Sequence, residues 1–197
     1  MKGEKMASRF SRESRFNRYF EGYEKRVFID ENGREKTRMV YVLDYYRPRL
    51  TEKGFLGRKI LNIVLFLISA AAQIFSGLRT DIPMNMTKYM GFAKCLGVLA
   101  LILVAIYLCS HLSAPYNMEV RSYRNAHEKL IIMSMIGMFI LLAIFIMAIV
   151  TMIVFGSFTV MSFIWAFMYL LAAACIAAIW LLEKRTEYDK VAHNSLF

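Results

Sequence analysis

From Leu130 to Leu182 the chain runs 53 residues without an acidic, basic or histidine side chain. One straight helix of that length would measure about 80 Å, whereas the hydrocarbon core of a bilayer is about 30 Å thick. The stretch must fold back on itself, and Phe155, Gly156, Ser157, Phe158 and Thr159 form the one segment suited to a turn. Two membrane-spanning helices follow, at about 130–153 and 160–182.

The same reasoning finds two more. Residues 60–78 carry no charge and as a helix cover about 28 Å. Residues 89–112 hold only Lys94 and His111, near opposite ends, and the flexible stem of Lys94 can carry its ammonium to the interface. Hydrophobic residues make up 58% of the 197, more than a soluble core of this size requires, so the excess faces lipid. The expected fold class is an all-α integral membrane protein. Its four-helix transmembrane bundle, 60–182, lies between a basic N-terminal arm and a short C-terminal tail, 183–197.

Cytoplasmic segments retain Lys and Arg, which orients the bundle. With the N-terminus inside, the cytoplasmic side holds 22 of these residues and the outer loops hold two, Arg79 and Lys88, with Lys94 set aside. Both termini are therefore expected in the cytoplasm, in a multi-pass protein of the cell membrane. Trp165 and Trp180, near opposite ends of the fourth helix, suit the two aromatic belts. The first apolar run starts only near Ile60, so the N-terminus reads as retained, not as a cleaved leader.

The arm has two parts. Residues 1–22 form a basic tail in which Arg9, Arg12, Arg15 and Arg18 alternate with Phe10, Phe16, Tyr19 and Phe20. That mixture suits anionic lipid or an acidic partner, although it also serves as a flexible, positive-inside tail. Nucleic acid is not expected, since no nucleic-acid module accompanies the charge. Residues 23–59 contain a β-hairpin: a strand around Arg26–Ile29, an Asn32-Gly33 turn and a second strand over 37–46, ended by Pro48. A two-residue loop would set Asp30 against Glu35, whereas a three-residue loop would set it against Arg34 and oppose Arg26 to Arg38. Two strands alone are marginal in water, so the hairpin needs a surface to lie on. Arg58 and Lys59 read as interfacial contacts to lipid or a partner at the start of the first helix.

Inside the spans, chemistry is sparse. Asn62, Ser69, Gln73 and Ser76 fall on one stripe of the first helix, facing protein, either as interhelical hydrogen bonds or as the lining of a polar path. Ser162, Ala166, Ala173 and Ala177 give the fourth helix a small-residue packing face, with Ile176 expected on a neighbouring, tolerant face. Cys95, Cys109 and Cys175 lack any CxxC spacing and read as packing residues. His111, His127, His193 and Cys109 share the cytoplasmic side, but their spacings match no ligand pattern, and neither a zinc motif nor a nucleophile elbow is present.

No catalytic residue, cofactor or metal is therefore expected. The reading that follows is a non-enzymatic accessory or structural subunit of a larger membrane complex, with membrane lipids and either another protein or further copies of itself as partners. A small transporter or channel formed by oligomerisation around the first-helix stripe is the alternative, and a membrane-embedded enzyme the third.

Overall fold

The structure is a computed structural model that describes residues 22–29, 35–79 and 82–192. Arg9, Arg12, Arg15, Arg18, the Asn32-Gly33 turn and His193 lie outside the described residues.

Four helices dominate: α1 (Glu52–Leu78), α2 (Lys88–Ser113), α3 (Lys129–Phe155) and α4 (Val160–Lys184). Each is long and apolar enough to cross a membrane. A helical turn, Val120–Tyr123, and a π-helical turn, Arg124–Glu128, lead into α3, so its helical backbone is continuous from Val120. Local chemistry fixes the ends. Thr51, Thr87 and Thr159 are N-caps whose hydroxyls accept from the amides of Gly54, Met90 and Ser162 at 3.2, 3.2 and 3.1 Å. The cap at Thr51 starts α1 eight residues before the apolar run, so residues 52–59 are helical as well. Gly156 ends α3 at φ 60°, a left-handed conformation that favours glycine, and the chain reverses where the uncharged turn is expected.

The helices pack in the cyclic order α1, α4, α3, α2, so α4 closes the ring against α1. Their shared interior holds Val104, Leu141, Ala148, Tyr169 and Ile176, all fully buried. Ile176 thus sits in the core and not on a tolerant face, because α4 is covered by α1 on one side and α3 on the other. Outward faces carry exposed apolar side chains such as Phe75, Phe92, Phe139 and Phe167.

Two small antiparallel sheets cover one end of the bundle, the arm end. β1 (Tyr23–Ile29) pairs with β2 (Glu35–Tyr41) from Tyr23 opposite Tyr41 to Ile29 opposite Glu35. Of the two registers open to the sequence, this is the one that sets Arg26 against Arg38. The second strand expected over 37–46 is in fact two. After Val42–Asp44 the chain forms β3 (Tyr45–Pro48), which leaves the hairpin and pairs with β4 (Tyr188–Val191) from the C-terminal tail. That pairing joins residues about 140 positions apart, which no local pattern announces. It also puts the two ends of the described chain on the same end of the bundle.

Candidate functional site: a buried carboxylate between two histidines

Glu183 follows an apolar span and precedes Lys184 and Arg185, and by sequence it reads as the start of a solvated tail. The fold places it inside. α4 continues through Lys184, and the packing of α1, α2 and the π-helical turn around its last residues leaves Glu183 only 1% exposed. Burying a carboxylate costs several kcal/mol unless it is bonded or paired, so its partners matter. Asn62 Nδ2, from α1, donates to Glu183 Oε1 at 2.7 Å. His127 Nδ1, from the π-helical turn, lies 3.2 Å from Oε2. His111 Nε2, from α2, lies 3.7 Å from Oε1. His111 is fully buried, and its Nδ1 donates to the carbonyl of Ala126 at 3.2 Å. The wide π-helical turn supplies both that carbonyl and His127, a use of π geometry that recurs at functional sites.

The surroundings tie this cluster to the strands. The His127 ring lies 4.4 Å from that of Tyr188, the first residue of β4, and 5.2 Å from that of Tyr123. Tyr123 in turn stacks on Tyr46 of β3 at 4.2 Å. Tyr46 and Met118 exchange backbone hydrogen bonds of 2.7 and 2.8 Å, and Arg49 pairs with Glu187 and Asp189 across the β3–β4 sheet. Burial, and then the Glu183 carboxylate, push the Tyr188 hydroxyl well above its ordinary range. The hairpin is pinned here as well. Tyr23 Oη donates to Glu119 at 2.6 Å, and the Val120 amide donates to Tyr41 Oη at 3.0 Å. Burial and the Glu119 bond push the Tyr23 hydroxyl up to about 12.

Arg58 and Lys59 sit beside the cluster. Arg58 donates to the Leu182 carbonyl at 2.8 Å, and Lys59 donates to those of Leu112 and Ala114 at 2.9 and 2.6 Å. Both cations thus cap the C-terminal ends of α4 and α2, where the helix dipoles favour positive charge.

The α1 stripe lies inside the chain: Asn62, Ser69, Gln73 and Ser76 are at most 2% exposed. Ser69 and Ser76 hydroxyls donate to the Ala172 and Trp165 carbonyls of α4, both at 2.9 Å. Asn62 and Ser69 are two helical turns, about 10 Å, apart, a break in any chain of polar groups along α1. On α4, Ser162, Ala166 and Ala173 are buried and Ala177 is half-buried, so the small-residue face seats helices of the same chain.

A second polar knot closes the far end. Asn85 Nδ2 donates to the carbonyls of Ser76 and Arg79 at 2.9 and 2.8 Å, and its Oδ1 accepts from Tyr169 at 3.3 Å. Lys94 Nζ donates to the carbonyls of Gly77 and Asn85, both at 3.1 Å.

Among the described residues no group of three or more His, Cys, Asp or Glu side chains is arranged to hold a metal ion. Cys95 and Cys109 are exposed and Cys175 is buried, all unpaired. Sequence reasoning noticed both histidines but not Glu183, because Glu183 reaches Asn62 across 121 positions and His127 across 56. The one local signal was an acidic residue directly at the end of an apolar run. No family model matches this chain, and neither a curated protein nor a solved structure shows significant similarity to it.

Proposed function

We propose that this chain is a multi-pass membrane protein with both termini in the cytoplasm, and that it acts as a non-enzymatic accessory subunit whose hairpin grips an acidic protein on that side. The observation that carries the reading is the hairpin. Arg26 and Arg38 stand directly opposite, an arrangement that costs stability unless something negative covers it. Val27, Phe28 and Ile29 are exposed at 61%, 47% and 77%, and no other described strand pairs with β1 or β2. A two-stranded unit with basic and apolar side chains open to water has the form of half an interface. Its tethers to Glu119 and Val120 hold it to the helical bundle, so a partner that takes the hairpin takes the bundle too.

The membrane reading is supported by the four apolar helices with their exposed Phe and Leu side chains. Lys and Arg concentrated at the arm end support the orientation. Glu183, His111 and His127 are 1%, 0% and 5% exposed, which leaves no opening for an organic substrate and supports a non-enzymatic role. A path built by several copies around the α1 stripe has little to draw on, since that stripe is sealed within one chain.

Purification of the tagged full-length chain from native membranes in mild detergent tests the proposal. A partner should co-purify at fixed stoichiometry and be lost with Arg26→Glu plus Arg38→Glu, but kept with Lys88→Glu. Loss of nothing in the double variant, or hairpin-dependent binding to anionic vesicles with no protein partner, overturns it. For orientation, a cysteine at Ser157 in a cysteine-free background should react with an impermeant reagent from outside, and one at Ser122 should not.

A further inference from the structure

The partner reading leaves the buried cluster unexplained. The Ala126 carbonyl can only accept, so the His111 Nδ1 that lies 3.2 Å from it carries a hydrogen. A neutral His111 then has its lone pair on Nε2, which faces Glu183 Oε1 at 3.7 Å. Two acceptors aimed at one another in a site closed to water repel. The gap is too short for a bridging water, which needs two bonds of about 2.8 Å at an open angle. Asn62 Oδ1, a third acceptor in this buried neighbourhood, has no donor, and His111 Nε2 has none either. The Tyr188 hydroxyl is likewise buried without a partner, so its O–H reaches neither acceptor, and two lone pairs left facing each other beside a carboxylate mark a missing hydrogen.

We propose that this cluster is a proton-binding site, in which one hydrogen ion is held between His111 Nε2 and Glu183 Oε1. Placed on either atom, it turns the repulsive contact into a donor facing an acceptor, and with the proton on His111 the buried carboxylate gains a positive neighbour. The titratable and charged groups around it come from every packed element: Arg58 and Lys59 from α1, Tyr123 and His127 from the lead-in to α3, and Tyr188 from β4. Arg58 and Lys59 direct their donors to helix-end carbonyls and the Tyr188 hydroxyl bonds no acceptor, so none of the three supplies the missing hydrogen. Because His127 bonds the same carboxylate and packs on Tyr123 and Tyr188, proton loss is transmitted to the β3–β4 sheet.

The sign follows from linkage. Above about pH 6.5 the unfolded chain has ionised glutamate and neutral histidine, so the folded chain holds one more proton and loses stability as pH rises. Thermal unfolding of the full-length chain in detergent between pH 6.5 and 9 reads this out, a window below the ordinary range of lysine and tyrosine side chains. While the folded chain keeps the proton that the unfolded chain has already released, the folded-to-unfolded ratio should fall up to tenfold per pH unit, and the slope should level off once the proton leaves. Glu183→Gln supplies a permanent N–H, with Asn62 turned to present its orphaned oxygen, and should flatten that slope; His111→Gln should do the same. A flat profile in the wild type, or an unchanged slope in either folded variant, overturns the proposal. Should neither variant fold, the wild type alone decides. An imidazolium nitrogen signal or a protonated-carboxyl infrared band present at pH 6.5 and gone by pH 9 supports the site, and absence of both at pH 6.5 overturns it.

Discussion

Two buried asparagines, one at each end of the bundle, show how differently the same side chain is used. Asn85 at the far end has every side-chain role filled: its amide donates to two carbonyls and its oxygen accepts from Tyr169. Asn62 at the arm end donates once, to Glu183, and its oxygen is orphaned. The far end is a fixed clamp built from neutral amides and carbonyls, with Lys94 bonded across it. The arm end depends on groups that gain and lose protons. A buried polar group with every donor and acceptor matched holds structure; two buried acceptors left facing each other point to a bound proton.

The largest expected effect breaks the clamp. Asn85→Ala removes three side-chain hydrogen bonds and strands two carbonyls and a buried hydroxyl, and should cost about 3 to 4 kcal/mol, equally at pH 6.5 and 9. Detergent melts at both pH values check this. A pH-dependent loss would erase the contrast between the ends.

Asn62→Ala comes next, at about 2 kcal/mol for a lost bond to a charged acceptor. Here the loss should grow toward pH 9, where the carboxylate has fewer donors left. Equal losses at both pH values would show that the arm end is as fixed as the far end.

The α4 seam sharpens the comparison in packing terms. Ala166, nearer the far end, is 1% exposed, whereas Ala177, nearer the arm end, is half-buried. Ala166→Leu should overpack and cost about 1 to 2 kcal/mol, and Ala177→Leu should stay below about 0.5 kcal/mol. A matched pair of melting temperatures would mean that the seam is uniform along α4.

The smallest effect belongs to the hairpin tether. Tyr23→Phe should cost no more than about 0.5 kcal/mol, since solvent reaches this contact. Its tyrosine is an acid with a folded value raised from 10.0 to about 12, so its contribution is whole below pH 10 and is lost as pH rises toward 12. Hydrogen exchange of the Tyr41 and Val42 amides should accelerate over that range, and in the variant should be fast throughout. Unchanged exchange would show that Tyr41 and Val120 hold the hairpin without it.

Much of the helical frame was legible in the sequence. The charge-free run beginning at Leu130 and the turn at Gly156 follow from bilayer thickness and helix rise alone. The hairpin strands were legible too, but their register was not, because both alignments put like or unlike charges opposite one another at similar local cost. Val42–Asp44 carries no strong break signal, so β2 and β3 read as one strand.

What the sequence determined by itself is the set of elements that short-range rules govern: four apolar helices, three of them capped by Thr51, Thr87 and Thr159, and a strand pair ahead of them. What only the tertiary structure decided is which groups leave water together. Glu183, His111, His127 and Asn62 come from four separate stretches of chain, and each is ordinary in its own neighbourhood. Their meeting depends on α4 returning beside α1 and on β4 pairing with β3, since burial, and with it the need for a proton, is a property of the assembled bundle and not of any segment.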